Sequence, residues 1–327
     1  MKIITDKSTF LGVIKKAAKI ANGRSSMVVY NHVAVSFDGK LCTLTASDSV
    51  RTYQEVFEAS GDPGECTLEA IKLSKAVTNM KSGVIEITDK GIKQGKTNIK
   101  LESMSYDSYP IPDFETSTPC GINSNDIRHY IYAIAHALPV KDVRVMLNGM
   151  HLTDGYAVAT DGMRMAYIES KYKGASIIIP SETIRQFPEI DGDVSVSLNQ
   201  MIIKSDNAIF STGLIDAKFP DWQRIIPKEF DVEISANSDD ILGAIKTVQL
   251  GGDMVRLNIS KDSAKIKNDG AETECAIKST GDIEIGFMSN FLIDAINAVN
   301  SPELHIKVSP GKACVINEKF IVMPVKL

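Results

Sequence analysis

The stretch Val158-Ala159-Thr160-Asp161-Gly162-Met163-Arg164 has an echo far upstream, Leu44-Thr45-Ala46-Ser47-Asp48-Ser49-Val50-Arg51. In both, a small residue precedes an aspartate, an arginine follows three positions later, and the flanks read as strands. That pattern describes one tight turn used twice. The offset of 113 residues between Asp48 and Asp161 recurs, to within a few positions, elsewhere in the chain. Ser8, Ser124 and Ser238 each precede an apolar helical stripe and are candidate N-caps. Ser74, Ser181 and Ser289 mark a second helix start in the same rhythm. Tyr109-Pro110-Ile111-Pro112-Asp113-Phe114 is matched by Phe219-Pro220-Asp221-Trp222. The chain therefore reads as three tandem copies of one unit of roughly 110 residues, with boundaries expected at 1–115, 116–227 and 228–327.

Within each unit the periodicities predict a strand, a helix and three strands, then the same again. In the first unit the expected elements are a helix from Ser8 to Ala21 and strands at Met27–Phe37, Leu41–Ala46 and Val50–Glu58. A short helix at Lys72–Lys81 then opens the second half. Two helices per unit against largely antiparallel sheet is an α+β design. The helices of the other units are expected at Asn125–Leu138, after Pro180, at Asp239–Leu250 and at Ser289–Val299.

Composition bounds the function. The chain has 327 residues, 43% of them hydrophobic, and a net charge of −5. The charge is uneven: 15 Lys and Arg face 14 Asp and Glu in the first unit, 10 face 12 in the second and 11 face 15 in the third. An acidic total does not favour a nucleic-acid-coated surface, yet basic side chains gathered on one face would still attract a polyanion. No apolar run reaches the roughly 18 residues of a membrane span, so no membrane association and a cytoplasmic location are expected. Cys42, Cys66, Cys120, Cys275 and Cys314 are scattered and never spaced as CxxC, which argues against a disulfide framework and against zinc.

Catalytic signatures fail. Gly91-Ile92-Lys93-Gln94-Gly95-Lys96-Thr97 looks like a P-loop but has three residues between its glycines where four are needed, and no helix follows. A lysine-rich hairpin is the better reading. The histidines show no metal-ligand spacing such as HExxH, no G-x-S-x-G elbow is present, and Asp161 suits a turn better than acid–base work. No catalytic residue, metal or cofactor is expected, and the chain is not expected to be an enzyme.

Several motifs in order carry a resemblance to a known family. Asp142-Val143-Arg144, Leu147-Asn148-Gly149-Met150 and Val158 to Ala166 resemble the middle domain of the bacterial DNA polymerase III beta subunit, the sliding clamp. Ile177-Ile178-Ile179-Pro180 and the run from Leu214 to Pro227 continue it. Ile283-Glu284-Ile285-Gly286-Phe287 and Val322-Met323-Pro324-Val325-Lys326-Leu327 extend it to the last domain, while the first unit matches chiefly through Asn22-Gly23-Arg24. The resemblance implies a head-to-tail homodimer closed as a ring around double-stranded DNA, a processivity factor with no catalysis of its own. Twelve helices at about 10 Å of perimeter each would enclose a hole on the order of 38 Å across. An open, repeat-built binding scaffold, or a nucleotide-binding enzyme resting on the P-loop look-alike, are the alternatives.

Two sites follow from the resemblance. Basic residues expected on a DNA-facing wall are Lys15, Lys16, Lys19 and Arg24 in the first unit, with Lys72 and Lys75 on its second helix. Arg128, Lys141 and Arg185 in the middle unit and Lys246 in the third join them. The family's pocket for short partner peptides, a glutamine followed by aliphatic and aromatic residues, maps onto Leu147, Thr160, Gly162, Met163, Arg164 and Met165. Pro220, Arg224, Ile225 and Phe291 continue it, and Ile321, Val322, Met323, Pro324 and Val325 complete it. Implied partners are a DNA polymerase catalytic subunit, a clamp loader, and repair and mismatch-repair proteins. Met163, Gln223 and Met288 depart from the family's usual His, Arg and Asn.

Overall fold

The computed structural model describes residues 1–111, 113, 114 and 116–326. Its chain packs as two compact units, Met1–Asp126 with Arg185–Leu214, and Ile127–Ile184 with the residues from Ile215 onward. The α+β class and the antiparallel pairing expected from the sequence are both present.

The helices are α1 (Lys7–Ile20), α2 (Ala70–Asn79), α3 (Ser124–Ile134), α4 (Ser181–Arg185), α5 (Ser238–Gln249) and α6 (Ser289–Val299). α1 buries Phe10, Val13, Ile14, Ala17 and Ile20. The caps sit one or two residues before the expected serines. Asp6 accepts the Ser8 N–H, Asn123 accepts those of Asn125 and Asp126, and Asn237 accepts those of Asp239 and Asp240. A short Asx side chain reaches back to two exposed amides at once, which the serines, already inside the helix, do not. Ser124 and Ser238 are instead buried first-turn residues whose own N–H groups bond to Gly192 and Pro302 carbonyls, as that of Lys7 bonds to Gly83. The second-helix register also shifts in the first repeat: Ala70, not Ser74, is the counterpart of buried Ser181 and Ser289. The expected strand from Met27 begins only at His32, because Val28–Asn31 forms a 3-10 turn.

In the first unit, a five-stranded sheet runs Ser60–Asp62, Lys2–Asp6, Val84–Thr88, Gly91–Gln94, Thr97–Lys100. The P-loop look-alike is thus a β-hairpin, and a Cβ at Gly91 would lie 2.0 Å from the Ile99 carbonyl oxygen. The unit's other sheet, of eight strands, joins His32–Phe37, Leu41–Ser47 and Arg51–Glu58 of the first repeat to Ala208–Gly213 of the second. In the second unit one sheet does the same a repeat later: Arg164–Glu169 pairs with Phe320–Val322. Each junction is one antiparallel ladder running through the repeat boundary, so the middle repeat divides between the two units.

The duplicated turn stands beside each ladder. Asp48 Oδ1 accepts the N–H groups of Val50 and Arg51, and Asp161 Oδ1 accepts those of Met163 and Arg164. A third copy, which the sequence reading missed, is at Asn268, whose Oδ1 accepts Gly270 and Ala271. Arg51 is 1% exposed, with Nη2 2.6 Å from Asp48 and Nη1 3.0 Å from Gln186 of the next repeat. Lys16 and Lys19, expected on a DNA-facing wall, are ion-paired in this unit, Lys16 to buried Glu55 at 3.1 Å and Lys19, still exposed, to exposed Glu189 at 2.8 Å. Glu55 also receives Asn207 and the Tyr53 hydroxyl.

Removing the Arg51 guanidinium strands the Asp48 carboxylate and the Gln186 amide. Arg51→Ala should lower the urea-derived unfolding free energy by about 3 kcal/mol. Arg51→Lys should recover less than half of that, because an ammonium cannot span both partners. A loss below about 1 kcal/mol would contradict the assignment.

Candidate functional site

The residues mapped to peptide docking lie in the second unit, around an apolar cluster of Leu147, Val158, Met165, Ile178, Phe219, Trp222, Ala313, Val315 and Ile321, with Met323 packed against it. Strand alternation puts Val158 and Met165 on one face, and the link that ends the middle repeat covers that face with two aromatic rings. Phe219 stacks on His151 with centroids 4.3 Å apart, and Trp222 meets Tyr156 at 5.3 Å and Tyr167 at 5.0 Å. Neither aromatic nor His151 was among the expected site residues. The signal was available, since Phe219 and Trp222 end the repeat, but a link reads as a connection and not as a lid.

At the rim the turn organises the other positions. Thr160 Oγ donates to the Arg164 carbonyl and accepts the Gly162 N–H. Gly162 has φ of +89°, and a Cβ there would meet the Arg144 guanidinium at 2.7 Å. Arg144 is held by Asp142 at 2.8 Å and donates to the Asp161 carbonyl at 3.0 Å. The Asp142 carboxyl is held down to about 2, first by its hydrogen bond to the Arg144 side chain. The Met323 N–H bonds to the Met163 carbonyl at 2.9 Å, which joins the last strand of the third repeat to the turn of the second. Val325 bonds to Gly286.

Arg164 is not a free cation. Its side chain is 13% exposed, with Nε 3.1 Å from Asp161 Oδ2, Nη1 2.5 Å from Asp294 Oδ2, and its guanidinium 4.5 Å from the Phe291 ring centroid. Asp294, on α6, is its partner. Leu147, Thr160, Met165, Ile321 and Val322 are buried, whereas Gly162, Met163, Pro220 and Ile225 are exposed. Arg224, also exposed, pairs with Asp221 at 2.7 Å. Pro324 and Phe291 are half-buried. The surface offered is methionine-rich, with aliphatic neighbours, and suits a flexible apolar ligand.

Of the DNA-wall candidates, Lys15, Arg24, Lys72, Lys75, Lys141, Arg185 and Lys246 are exposed and Arg128 is half-buried. Among the described residues no group of His, Cys, Asp and Glu could hold a metal, and no helix is long and apolar enough to cross a membrane. Burial pushes the Cys42, Cys66 and Cys314 thiols up to about 12, so they stay protonated.

Tandem repeats zipped by shared ladders, with an adaptable apolar surface where two repeats meet, define a binding scaffold. Residues 121–221 match the central domain of the DNA polymerase III beta subunit, and residues 223–320 match its C-terminal domain. The chain is 25% identical to the beta sliding clamp of Pseudomonas aeruginosa and 22% identical to that of Vibrio cholerae, each over the whole of both chains. Its fold is that of a sliding clamp from Bartonella birtlesii solved with griselimycin (TM-score 0.92, 24% identity) and of the Helicobacter pylori beta clamp solved with a DNA ligase peptide (TM-score 0.87, 20% identity), again over the full chains. The chain belongs to the DNA polymerase III beta subunit family, the beta sliding clamps. These are processivity factors and not enzymes.

Burial holds His151 and His136 uncharged, lowering each from 6.5 to about 4; the positive charge of Arg164 adds to the effect at His136. Both therefore favour the folded state fully above about pH 6.5, where the unfolded chain is also neutral. Their contribution falls as pH drops from 6.5 toward 4, by on the order of 3 kcal/mol for the buried His151. Urea melts between pH 7 and 4.5 should show this decline, and His151→Phe should flatten it. An unchanged slope in that variant would contradict the account.

Proposed function

We propose that this chain works as a ring of two copies closed head to tail around duplex DNA, holding partner proteins through the apolar surface between its second and third repeats. The single observation that carries the ring is an imbalance of strand edges. At the two internal junctions, the strand following the turn takes the last strand of the next repeat as its neighbour. The third repeat's counterpart, Glu272–Ser279, pairs with Val232–Asn237 only through Ile277–Ser279; along residues 272–276 it has Ser263–Lys267 on one side and, among the described residues, no strand on the other. Among the described residues Thr97–Lys100, the last strand of the first repeat, pairs only with Gly91–Gln94. One edge is short of a successor and the other of a predecessor, and a second copy supplies both. Charge agrees: the hairpin edge carries Lys93, Lys96 and Lys100, and the opposite edge carries Glu274 and Glu272, the latter also paired with Lys265 at 2.7 Å. Exposed edges left open would invite uncontrolled pairing.

In this reading the domains are residues 1–115, 116–227 and 228–327. The exposed cations Lys15, Arg24, Lys72, Lys75, Lys141, Arg185 and Lys246, with Arg128, attract the phosphate backbone without reading sequence, which permits sliding. Lys19, exposed although it pairs with Glu189, belongs with them, and Lys16 is drawn toward Glu55 at 3.1 Å. The peptide that the Helicobacter pylori clamp carries, from a DNA ligase, supports a similar use here for a polymerase subunit, a clamp loader and repair proteins. The exposed Met163 in place of the family's usual His favours softer, more apolar ligands.

Sedimentation should give about twice the chain mass of 35.6 kDa. Lys96→Glu with Lys100→Glu should dissociate the dimer, and combining them with Glu272→Lys and Glu274→Lys should restore it. A wild-type monomer, or a dimer indifferent to the first pair, would refute head-to-tail closure. Ending the chain after Val322 should abolish peptide capture and leave the dimer intact; normal peptide affinity in that truncation would remove the site from this surface.

A further inference from the structure

We propose that Asp294 is a positioning residue for peptide docking: by holding the Arg164 guanidinium it fixes the Thr160–Arg164 turn, and with it Met163, at the rim of the apolar surface. The inference rests on the docking role proposed above.

The connection is a short chain of fixed contacts. Asp294 projects from α6 and meets Arg164 Nη1 at 2.5 Å, while Phe291, one turn earlier on the same helix, lies under the guanidinium. The other side of the guanidinium reaches Asp161 Oδ2. Asp161 in turn divides its carboxylate: Oδ2 takes the side chain, and Oδ1 takes the Met163 and Arg164 amides at 2.8 and 2.9 Å. The Met163 carbonyl then receives the Met323 amide. A largely desolvated planar guanidinium between two carboxylates and a ring has one low-energy orientation, so loss of either carboxylate frees it to rotate. Asp294 reaches the turn through Arg164, the ion-pair partner it meets at 2.5 Å.

The first unit contains a built-in control. Arg51 is likewise held by the aspartate of its own turn, and it also donates to neutral Gln186. Gln186 stands five residues past Ser181, the first residue of α4, as Asp294 stands five past Ser289, the first of α6. A neutral amide thus stands, at the same position counted from the helix start, against the fully buried arginine of the first unit. The carboxylate is used where the arginine is less buried and the turn lies beside the candidate docking surface.

The test is a fluorescence-anisotropy titration with a labelled Gln-Leu-Ser-Leu-Phe peptide, alongside thermal melts of each variant. Asp294→Asn should weaken binding at least tenfold at a temperature where it is fully folded, mainly through faster release. Asp294→Glu should return to within threefold of the wild type. Gln186→Ala should lose melting temperature yet bind within twofold. Wild-type affinity in Asp294→Asn, or a loss no larger than its unfolded fraction explains, would overturn the positioning role while leaving docking in place. No binding by the wild type would overturn docking and this inference together.

Discussion

A β-strand edge carries unpaired N–H and C=O groups that have to be matched, covered or wetted, and most of this molecule follows from where those edges find partners. The strands Arg51–Glu58 and Arg164–Glu169 sit in the interior of sheets only because the next repeat supplies their outer neighbours. Repeat boundaries and packing boundaries consequently fall in different places. A sequence repeat marks where a unit was copied; a compact unit marks where hydrogen bonds and apolar faces close. The middle repeat gives residues 116–126 and 185–214 to one unit and the remainder to the other.

The same logic explains why the apolar surface proposed for docking belongs to the second repeat and not the third. Strand pairing sets Arg256 of the third repeat at the level of His151, Lys267 at that of Val158 and Glu272 at that of Tyr167. In the second repeat this face is apolar because Phe219 and Trp222 of the adjoining link lie over it. In the third the corresponding face is charged and opens on a cavity of about 480 Å³ lined by Gly252, Arg256, Lys267 and Lys326. Leaving Val and Tyr there without a cover would expose a contiguous apolar patch. The aromatic link thus decides which face is available to hold methionines and aliphatics for a partner.

Much of the architecture was legible because the turn needs an Asx side chain that accepts two amides, and because its arginine is spelled out at Arg51 and Arg164. The third copy escaped since Ala271 replaces the arginine, and because its hairpin closes sooner: Asn268 comes directly after Lys267, whereas Ala159 and Thr160 separate Val158 from Asp161. Helix existence was read correctly from apolar spacing, whereas the starts slipped by one or two residues because serine and Asx compete for the cap and only the hydrogen bonds decide. The charged residues were the least legible. Lys16, Lys19, Arg164 and Asp294 all look like solvated helix or turn positions in sequence, and each finds an opposite charge far away in the chain. No local pattern signals a partner 39, 170 or 130 residues distant. The expected apolar positions fared better: Leu147, Met165, Ile321 and Met323 do converge, because burial is written in periodicity while charge pairing is not.

The central claim is topological: the protein holds DNA by surrounding it and not by gripping it. Its most direct measurement is retention on a nicked circular plasmid, loaded by a matching clamp loader with ATP, before and after one restriction cut. The account predicts retention on the circle through a high-salt wash and loss of protein within minutes of linearisation, as the ring slides off the ends. Equal retention on circular and linear DNA would mean ordinary surface binding and would contradict it.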